Sequence, residues 1–224
     1  MSRRAAGTDA VGAPTYATVR EALDGVDVLV DYTSVTAVKG NTLAALEAGV
    51  PVVIGTSGLT AADFEEIDAA ARERGVGVVA SGNFSLTAAM CQAGALLAAR
   101  NLPQWEVIDY ASATKPDVPS GTARELAERL GEVRAPEPGH AVEDLHGPQE
   151  ARGANVADTQ VHSVRLPSFV VSTEVIFGLP DERLTIRHDA GGTPEPYVAG
   201  TLIAVRRVRD LVGLTRGLDT LLIG

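Results

Sequence analysis

A lysine, two prolines and a Ser-Gly-Thr sequence lie close together in the middle of the chain, and their side chains suit anion binding. Lys115 precedes Ser120, Gly121 and Thr122 by a few residues, with the prolines between them. Residues 123–130 have the composition and period of a helix, so the Ser-Gly-Thr sequence would begin its first turn. The N–H groups of a first turn have no partner within the helix, and with two hydroxyl groups they can bind a carboxylate or a phosphate. The pattern therefore predicts a ligand-binding loop that the Lys115 ammonium group can reach.

Two interpretations of this segment are open on local grounds. In one, residues 120–122 only cap a helix, and Lys115 is an ordinary surface lysine. In the other, the segment binds a ligand, because Pro116 and Pro119 stiffen the chain between a predicted strand at 106–110 and the helix. The combination of a stiff loop, a lysine and hydroxyl groups at a helix start favours the second interpretation.

The first third of the chain has the alternation that builds a parallel sheet. β-Branched runs that predict buried strands alternate with helical segments, and glycine follows each long helix. An N-terminal loop and a short helix are predicted at 1–15 and 17–23, strands at 26–32, 50–54 and 76–80, and long helices at 35–48 and 61–74. Short connections between such elements require parallel strands with right-handed crossovers.

Small and polar residues follow each of these strands. Ligands gather at the carboxyl ends of parallel strands, which here carry residues 31–33 (Asp-Tyr-Thr), 55–58 (Gly-Thr-Ser-Gly) and 81–84 (Ser-Gly-Asn-Phe). Glycine allows a flat ring to approach the backbone, and backbone N–H and C=O groups can hold a carboxamide. Each turn alone would be unremarkable, but three at one edge of a sheet predict a shared binding rim.

The second half of the chain changes to a mixture of helices and antiparallel strands. Helices are predicted at 86–100, 123–130 and 197–209, strands at 106–110, 159–165, 169–178 and 183–189, and an exposed excursion at 131–155. Short proline-containing turns at 166–168 and 179–182 predict that the last three strands form two antiparallel hairpins. We therefore predict an α/β fold with an incomplete Rossmann-like parallel sheet and a second α+β domain with a mixed sheet. Residues 1–82 would form the first domain, with 210–224 packing back on it, and 83–209 the second.

Composition excludes several classes of function. The chain has 224 residues, a net charge of −10 and an isoelectric point of about 4.8, which argues against general binding to nucleic acid or to a membrane surface. The single cysteine, Cys91, excludes an intrachain disulfide and a cysteine-cluster metal site, and we predict no metal. No run of residues has the length and apolarity of a membrane span, and the first residues lack the apolar core of a signal peptide, so we expect a cytoplasmic protein.

Residues 115–123, Lys-Pro-Asp-Val-Pro-Ser-Gly-Thr-Ala, resemble the Lys-x-Asp-Ala-Pro-Ser-Gly-Thr-Ala signature of the dihydrodipicolinate reductase family. The resemblance extends over most of the chain, through residues 55–58, 83–85 and 162–165. It implies a reductase of lysine and diaminopimelate synthesis that uses NADPH or NADH and a small dicarboxylate substrate. It also implies that the first domain is a partial dinucleotide-binding domain, and that the second binds substrate and assembles a homotetramer through its sheet.

The resemblance assigns roles to individual residues. It implies that the nicotinamide ring and its ribose are bound by Thr33, Gly55, Thr56, Ser57, Ser81, Asn83 and Phe84. It implies that the substrate carboxylates are bound by Ser120, Gly121, Thr122 and Arg165. Lys115 would donate a proton or stabilise charge. The family usually has paired histidines before this lysine, whereas this chain has Ala111 and Ser112, and the Ser112 hydroxyl can donate a hydrogen bond but cannot carry a positive charge.

The start of the chain lacks one expected feature of a dinucleotide-binding domain. Residues 1–16 contain no strand followed by a G-x-G-x-x-G turn and a helix. Either the start is truncated or dinucleotide binding has been lost. Besides a reductase, two alternatives follow from the second case: a lyase or isomerase that uses Lys115 without a nicotinamide, and a non-catalytic binding module that keeps only the fold.

Overall fold

The computed structural model describes residues 13–223, which form helices, strands and short 3₁₀ turns. The helices are α1 (Val19–Ala22), α2 (Val38–Glu47), α3 (Ala61–Arg74), α4 (Leu86–Ala99), α5 (Gly121–Val133), α6 (Glu195–Arg207) and α7 (Leu218–Ile223). The strands are β1 (Leu29–Asp31), β2 (Val52–Ile54), β3 (Gly77–Ala80), β4 (Trp105–Ala111), β5 (Ala154–Val156), β6 (Thr159–Arg165), β7 (Val171–Leu179), β8 (Glu182–Ala190) and β9 (Gly213–Arg216). The predicted N-terminal loop lies outside the described residues as far as residue 12.

The first compact unit comprises the chain up to Gly82 together with the segment that begins at Ala199. Its parallel sheet has the strand order β1-β2-β3-β9, and helices α2 and α3 pack against it. Strands β2 and β3 are entirely buried, as their β-branched sequences predict for the centre of a parallel sheet. The predicted parallel sheet is therefore confirmed.

Helix α3 shows how local sequence sets the ends of an element. Thr60 and Asp63 form a reciprocal capping box at its start, and Gly75 ends it in the left-handed conformation with φ of 65°. Its bounds are those that the sequence predicts, because both end signals are local.

The second unit runs from Asn83 to Val198 and contains a mixed sheet with the order β5-β6-β4-β7-β8. Strand β4 alternates strictly between buried and half-buried residues. Its inward residues contribute, with residues from α4 and α5, to a core that includes Val107, Leu130 and Phe177. The helices pack on the inward face of the sheet, so functional side chains on that face are shielded from solvent.

One of the two predicted hairpins is wrong. Strands β7 and β8 form the antiparallel hairpin that the turn at 179–182 predicts. Strands β6 and β7 do not pair, because β4 lies between them, parallel to β6 and antiparallel to β7. The connecting segment passes the end of β4, where the Leu166 N–H donates to the Ala111 carbonyl at 3.2 Å. A short turn had suggested a direct pairing, but the buried strand β4 takes the central position.

The end of the chain contributes more to the first unit than predicted. Residues 213–216 form β9, which pairs in parallel with β3 and was not predicted as a strand. The division between the units falls after Val198, so residues 199–209, which the sequence places in the second domain, lie with the first. Within residues 13–223, no helix has both the length and the apolarity that crossing a bilayer requires.

Candidate functional site

The loop between β4 and α5 is ordered by turns at both of its ends. At its start, the Lys115 N–H donates to the Ser112 carbonyl at 3.0 Å. At its end, Ser120 is the N-cap of α5, and its hydroxyl oxygen accepts the Ala123 N–H at 3.3 Å. The predicted helix start at residues 120–122 is thus present, and Gly121 is its first helical residue.

Asp109 is a functional candidate that sequence reasoning missed. The alternation of β4 places it on the inward face, where the residue is 0% exposed. Its carboxylate accepts hydrogen bonds from the Ser120 N–H at 2.8 Å, the Ser120 hydroxyl at 2.7 Å, the Ser163 hydroxyl at 3.1 Å and the Arg165 Nη2 at 2.8 Å. An acid at an inward position of a buried strand was the available signal, because such a carboxylate requires several donors.

Arg165 lies beside Asp109 and holds the loop as well. Its side chain is only 15% exposed. Besides Asp109, its guanidinium donates to the Asp117 carbonyl at 2.7 Å and to the Val164 carbonyl at 3.0 Å. The N–H and O–H of Ser120 and the Nη1 and Nη2 groups of Arg165 are therefore used within the protein, whereas Nε of Arg165 is buried with no hydrogen-bond partner among the described residues. The groups that are used are not favoured as direct ligands of a substrate.

Lys115 lies on the more exposed part of the loop. Its ammonium group is 2.9 Å from the Asp117 carboxylate, and its side chain is 30% exposed. The Ser112 hydroxyl lies 3.0 Å from the Thr114 hydroxyl and is half-buried. The side chains of Lys115 and Ser112 are therefore both partly accessible to solvent.

Gly121 and Thr122 occupy the first two positions of α5 and are half-buried. Gly121 is the first helical residue, where helix geometry offers the amide group no carbonyl one turn back within the helix. The Asn83 side-chain amide lies 3.5 Å from the Thr122 hydroxyl, so Asn83, predicted with the cofactor residues, adjoins the α5 start. Phe84 is 1% exposed and belongs to the buried core, so its ring offers little surface to a ligand.

In the first unit, Asp31 organises the carboxyl ends of β1 and β2. The residue is 1% exposed. Its carboxylate accepts the Thr33 N–H at 3.0 Å, the Thr33 hydroxyl at 2.8 Å, the Thr56 hydroxyl at 2.6 Å and the Asn41 side-chain amide at 2.9 Å. Burial raises the pKa of Asp31, but the hydrogen bonds from Thr56, Asn41 and Thr33 outweigh it and hold the pKa below its usual 3.8. Two of the predicted cofactor residues, Thr33 and Thr56, are thus fixed by one carboxylate.

An aromatic ring lies against the glycine of the second predicted turn. A Cβ atom on Gly55 would lie 2.0 Å from Cε1 of Tyr32, so glycine is required for this contact. Tyr32 is 53% exposed, and its hydroxyl lies 2.8 Å from the Thr201 hydroxyl. Ser57 is half-buried in the same turn, and the buried Ser81 donates its N–H to the Ile54 carbonyl at 3.1 Å. A cavity of about 790 Å³ adjoins this rim and includes Tyr32 and Thr33 in its lining.

Two histidines and the single cysteine make their contacts apart from these residues. His162 lies on the opposite face of the sheet from Arg165, with Nε2 2.6 Å from the Glu106 carboxylate. His188 is buried with Nε2 3.4 Å from the Ser85 hydroxyl. Burial raises the pKa of the Cys91 thiol to about 11, which argues against a nucleophile. Among residues 13–223, no three His, Cys, Asp or Glu side chains are grouped closely enough to hold a metal ion.

Comparisons with known proteins place these features in one family. The family model described as the N-terminus of dihydrodipicolinate reductase matches residues 2–84, and the model of its C-terminus matches residues 83–222. The 4-hydroxy-tetrahydrodipicolinate reductase of Moorella thermoacetica is 39% identical over 235 residues, which cover 99% of this chain and 86% of that protein. The enzyme of the same name from Desulfitobacterium hafniense is 40% identical over 199 residues, which cover 88% of this chain and 73% of that protein.

A solved structure shows the same architecture. The dipicolinate-bound dihydrodipicolinate reductase of Paenisporosarcina sp. TG-14 superimposes with a TM-score of 0.73 at 28% sequence identity, covering 95% of this chain and 80% of that chain. Both family models match, the curated relatives align over most of their length, and the fold agrees. The chain therefore belongs to the dihydrodipicolinate reductase family.

Proposed function

We propose that this chain is a nicotinamide-dependent reductase that acts on 4-hydroxy-tetrahydrodipicolinate, or on a closely related cyclic imine or enamine, in lysine and diaminopimelate synthesis. The observation that carries this proposal is the β4–α5 loop. Asp109 fixes the start of α5, and Lys115 lies on the same loop. Family membership makes a reductase the favoured activity over a lyase, an isomerase or a binding module.

The residues of the first unit fit the nicotinamide end of a dinucleotide. Tyr32 presents an exposed aromatic ring, Gly55 leaves room beside it, and Thr33, Thr56 and Ser57 bring hydroxyl groups to the same turns. Such a donor set suits a ring with a carboxamide and a ribose. When bound, NADPH or NADH supplies the hydride. Asp31 holds the two threonines in place for this contact.

The residues of the second unit would act on the substrate. The amide groups of Gly121 and Thr122 would bind a carboxylate at the start of α5, where the helix dipole favours negative charge. Lys115 would donate a proton from Nζ to the substrate or stabilise charge that develops there. Ser112 would contribute a hydrogen bond without a positive charge. Ser120 and Arg165 would support the loop.

The proposed enzyme would assemble through the second sheet. Ile108 and Ile176 lie on the face opposite to α4 and α5, and both are half-buried in the single chain. Association of these faces would bury them, and together with the family resemblance this supports the homotetramer that we propose. The cytoplasm, with its nicotinamide pool, is the compartment that the proposed activity requires.

Two measurements test the proposal. Calorimetric titration of the purified chain with NADPH and with NADH should give saturable binding of at least one of them. Lys115→Ala should lower the rate of nicotinamide oxidation with 4-hydroxy-tetrahydrodipicolinate by about 10²- to 10⁴-fold, the usual contribution of a general acid. The affinity for the cofactor should stay unchanged. Lys39→Ala is the matched control, because Lys39 binds Asp63 and Glu66 on α3.

The alternatives predict other results. A chain that binds neither cofactor is not a nicotinamide-dependent reductase. Turnover of a substrate without nicotinamide, if Lys115→Ala abolished it, would identify a lyase or an isomerase. Ligand binding with no turnover would identify a binding module.

A further inference from the structure

We infer that Asp109 and Arg165 are positioning residues, which act as one buried charge pair to hold the Lys115 loop in its working geometry. The inference rests on the proposed function and extends it. It changes the part assigned to Arg165 from a substrate ligand to a support. It also adds Asp109, which no sequence pattern had singled out.

The first step is the burial of Asp109 under the start of α5. Its carboxylate accepts both donors of Ser120, the residue that caps the helix. The position and direction of the first turn of α5 are therefore tied to β4. Because Ser120 is occupied in this way, the proposed carboxylate site falls to the helix start at Gly121, whose placement depends on Asp109.

The second step connects Asp109 to Lys115 through Arg165. One guanidinium nitrogen, Nη2, lies 2.8 Å from the Asp109 carboxylate and 2.7 Å from the Asp117 carbonyl oxygen. The Asp117 carboxylate in turn lies 2.9 Å from the Lys115 ammonium. A continuous series of contacts thus runs from the buried strand to the half-buried lysine.

The third step concerns charge. Arg165 is 15% exposed and its counter-charge is Asp109, which is 0% exposed, so neither group is well solvated. Removing one charge of such a pair leaves the other unpaired in a poorly solvated place. Arg165 would then turn towards solvent or towards other acceptors and release the Asp117 backbone. The loop would lose its support although Lys115 itself is unchanged.

The test compares Asp109→Asn, which removes the charge and keeps the shape, with a matched control on the same strands. Thr159→Val is that control, because the buried Thr159 hydroxyl accepts the Trp105 Nε1–H at 3.0 Å at the other end of β4 and β6. Asp109→Asn should lower kcat/KM by about a hundredfold, the effect of a displacement near 1 Å, with kcat and KM both affected. Thr159→Val should lower thermal stability but leave both kinetic parameters within about twofold.

A second readout does not require turnover. Amide hydrogen exchange in residues 112–120 should become at least about tenfold faster in Asp109→Asn and should stay unchanged in Thr159→Val. If Asp109→Asn does not fold, Arg165→Lys replaces it, since it keeps the charge but cannot reach both the Asp109 carboxylate and the Asp117 carbonyl in the same geometry. Arg165→Lys should lower kcat/KM and speed the amide exchange of the loop as Asp109→Asn does, but by smaller factors.

Each result decides the inference. Unchanged exchange in the loop together with kinetic parameters like those of the wild type would overturn it. Loss of substrate affinity in Arg165→Lys with unchanged exchange would make Arg165 a direct ligand and overturn its positioning role. A wild-type chain without reductase activity would refute the proposed function, while the exchange comparison would still decide whether Asp109 and Arg165 position the loop.

Discussion

Asp31 and Asp109 are two buried carboxylates that organise loops at strand ends, one in each unit, and they are satisfied in different ways. Among residues 13–223, Asp31 accepts hydrogen bonds only from neutral groups of Thr33, Asn41 and Thr56. Asp109 accepts hydrogen bonds from two serines and in addition pairs with the Arg165 guanidinium. The first arrangement keeps a net negative charge at the rim, and the second is electrically balanced.

This difference suits the two ligands of the proposed reaction. A nicotinamide ring is neutral when reduced and positively charged when oxidised, so a buried negative charge nearby does not oppose it. A substrate carboxylate would be repelled by an uncompensated carboxylate under the start of α5. Arg165 removes that repulsion. A buried carboxylate that orders a loop can therefore serve both a site for a cationic ring and a site for an anionic substrate.

The largest expected effect is a difference between Asp109 and Asp31 in how much each carboxylate contributes to the stability of the fold. Asp109→Asn should lower the free energy of unfolding by about 3–5 kcal/mol, because it leaves Arg165 without its buried counter-charge. Asp31→Asn should cost about 1–3 kcal/mol, because it disturbs only neutral donors. Urea denaturation followed by fluorescence of Trp105 and by circular dichroism measures both. Equal losses would show that charge compensation is not what distinguishes the two sites.

A smaller effect is expected at the rim of the first unit. Gly55→Ala would place a Cβ atom 2.0 Å from the Tyr32 ring, so the ring must move. We expect cofactor affinity to fall about tenfold, which corresponds to about 1.4 kcal/mol, and the KM for the proposed 4-hydroxy-tetrahydrodipicolinate substrate to stay unchanged. Gly94→Ala in α4 is the control, since its Cβ would meet only Ile186 at 3.6 Å. A Gly55→Ala variant with wild-type cofactor affinity would exclude this turn from the nicotinamide site.

The smallest effect is a difference in acid sensitivity. The folded-state pKa of Asp31 lies below 3.8, so its contribution to stability is complete above the unfolded value and is lost as the pH falls below about 4. Burial lowers the pKa of His188 below 6.5, with Asp189 opposing this in part. Because the buried His188 binds a proton less readily in the folded state than in the unfolded state, the free energy of unfolding decreases as the pH falls below about 6.5.

The two windows can be measured separately. Unfolding by urea at pH values from about 3 to 8 should show a decline below pH 6.5 that His188→Gln removes, and a decline below pH 4 that Asp31→Asn reduces. A decline near pH 6.5 that persists in His188→Gln would assign the transition to another group.

The predicted secondary structure around the candidate site is confirmed where the signals are local. The capping serine at 120 and the helix after it follow from adjacent residues, as does the capping box of α3 at Thr60. The family resemblance rests on the same kind of contiguous signature and is confirmed. By contrast, Asp109 and Ser163 are 54 residues apart, and no local pattern in either segment predicts their contact.

Sequence by itself determined the alternation of strands and helices in the first unit, the position of the Lys115 loop and the family, because periodicity, caps and contiguous motifs are written in neighbouring residues. Only the tertiary structure decided that β4 separates β6 from β7, that β9 completes the parallel sheet, and that Arg165 faces Asp109. Those outcomes depend on which distant strands pair and on which charges are buried together. Such choices are made by packing and desolvation over the whole unit rather than by the local chain.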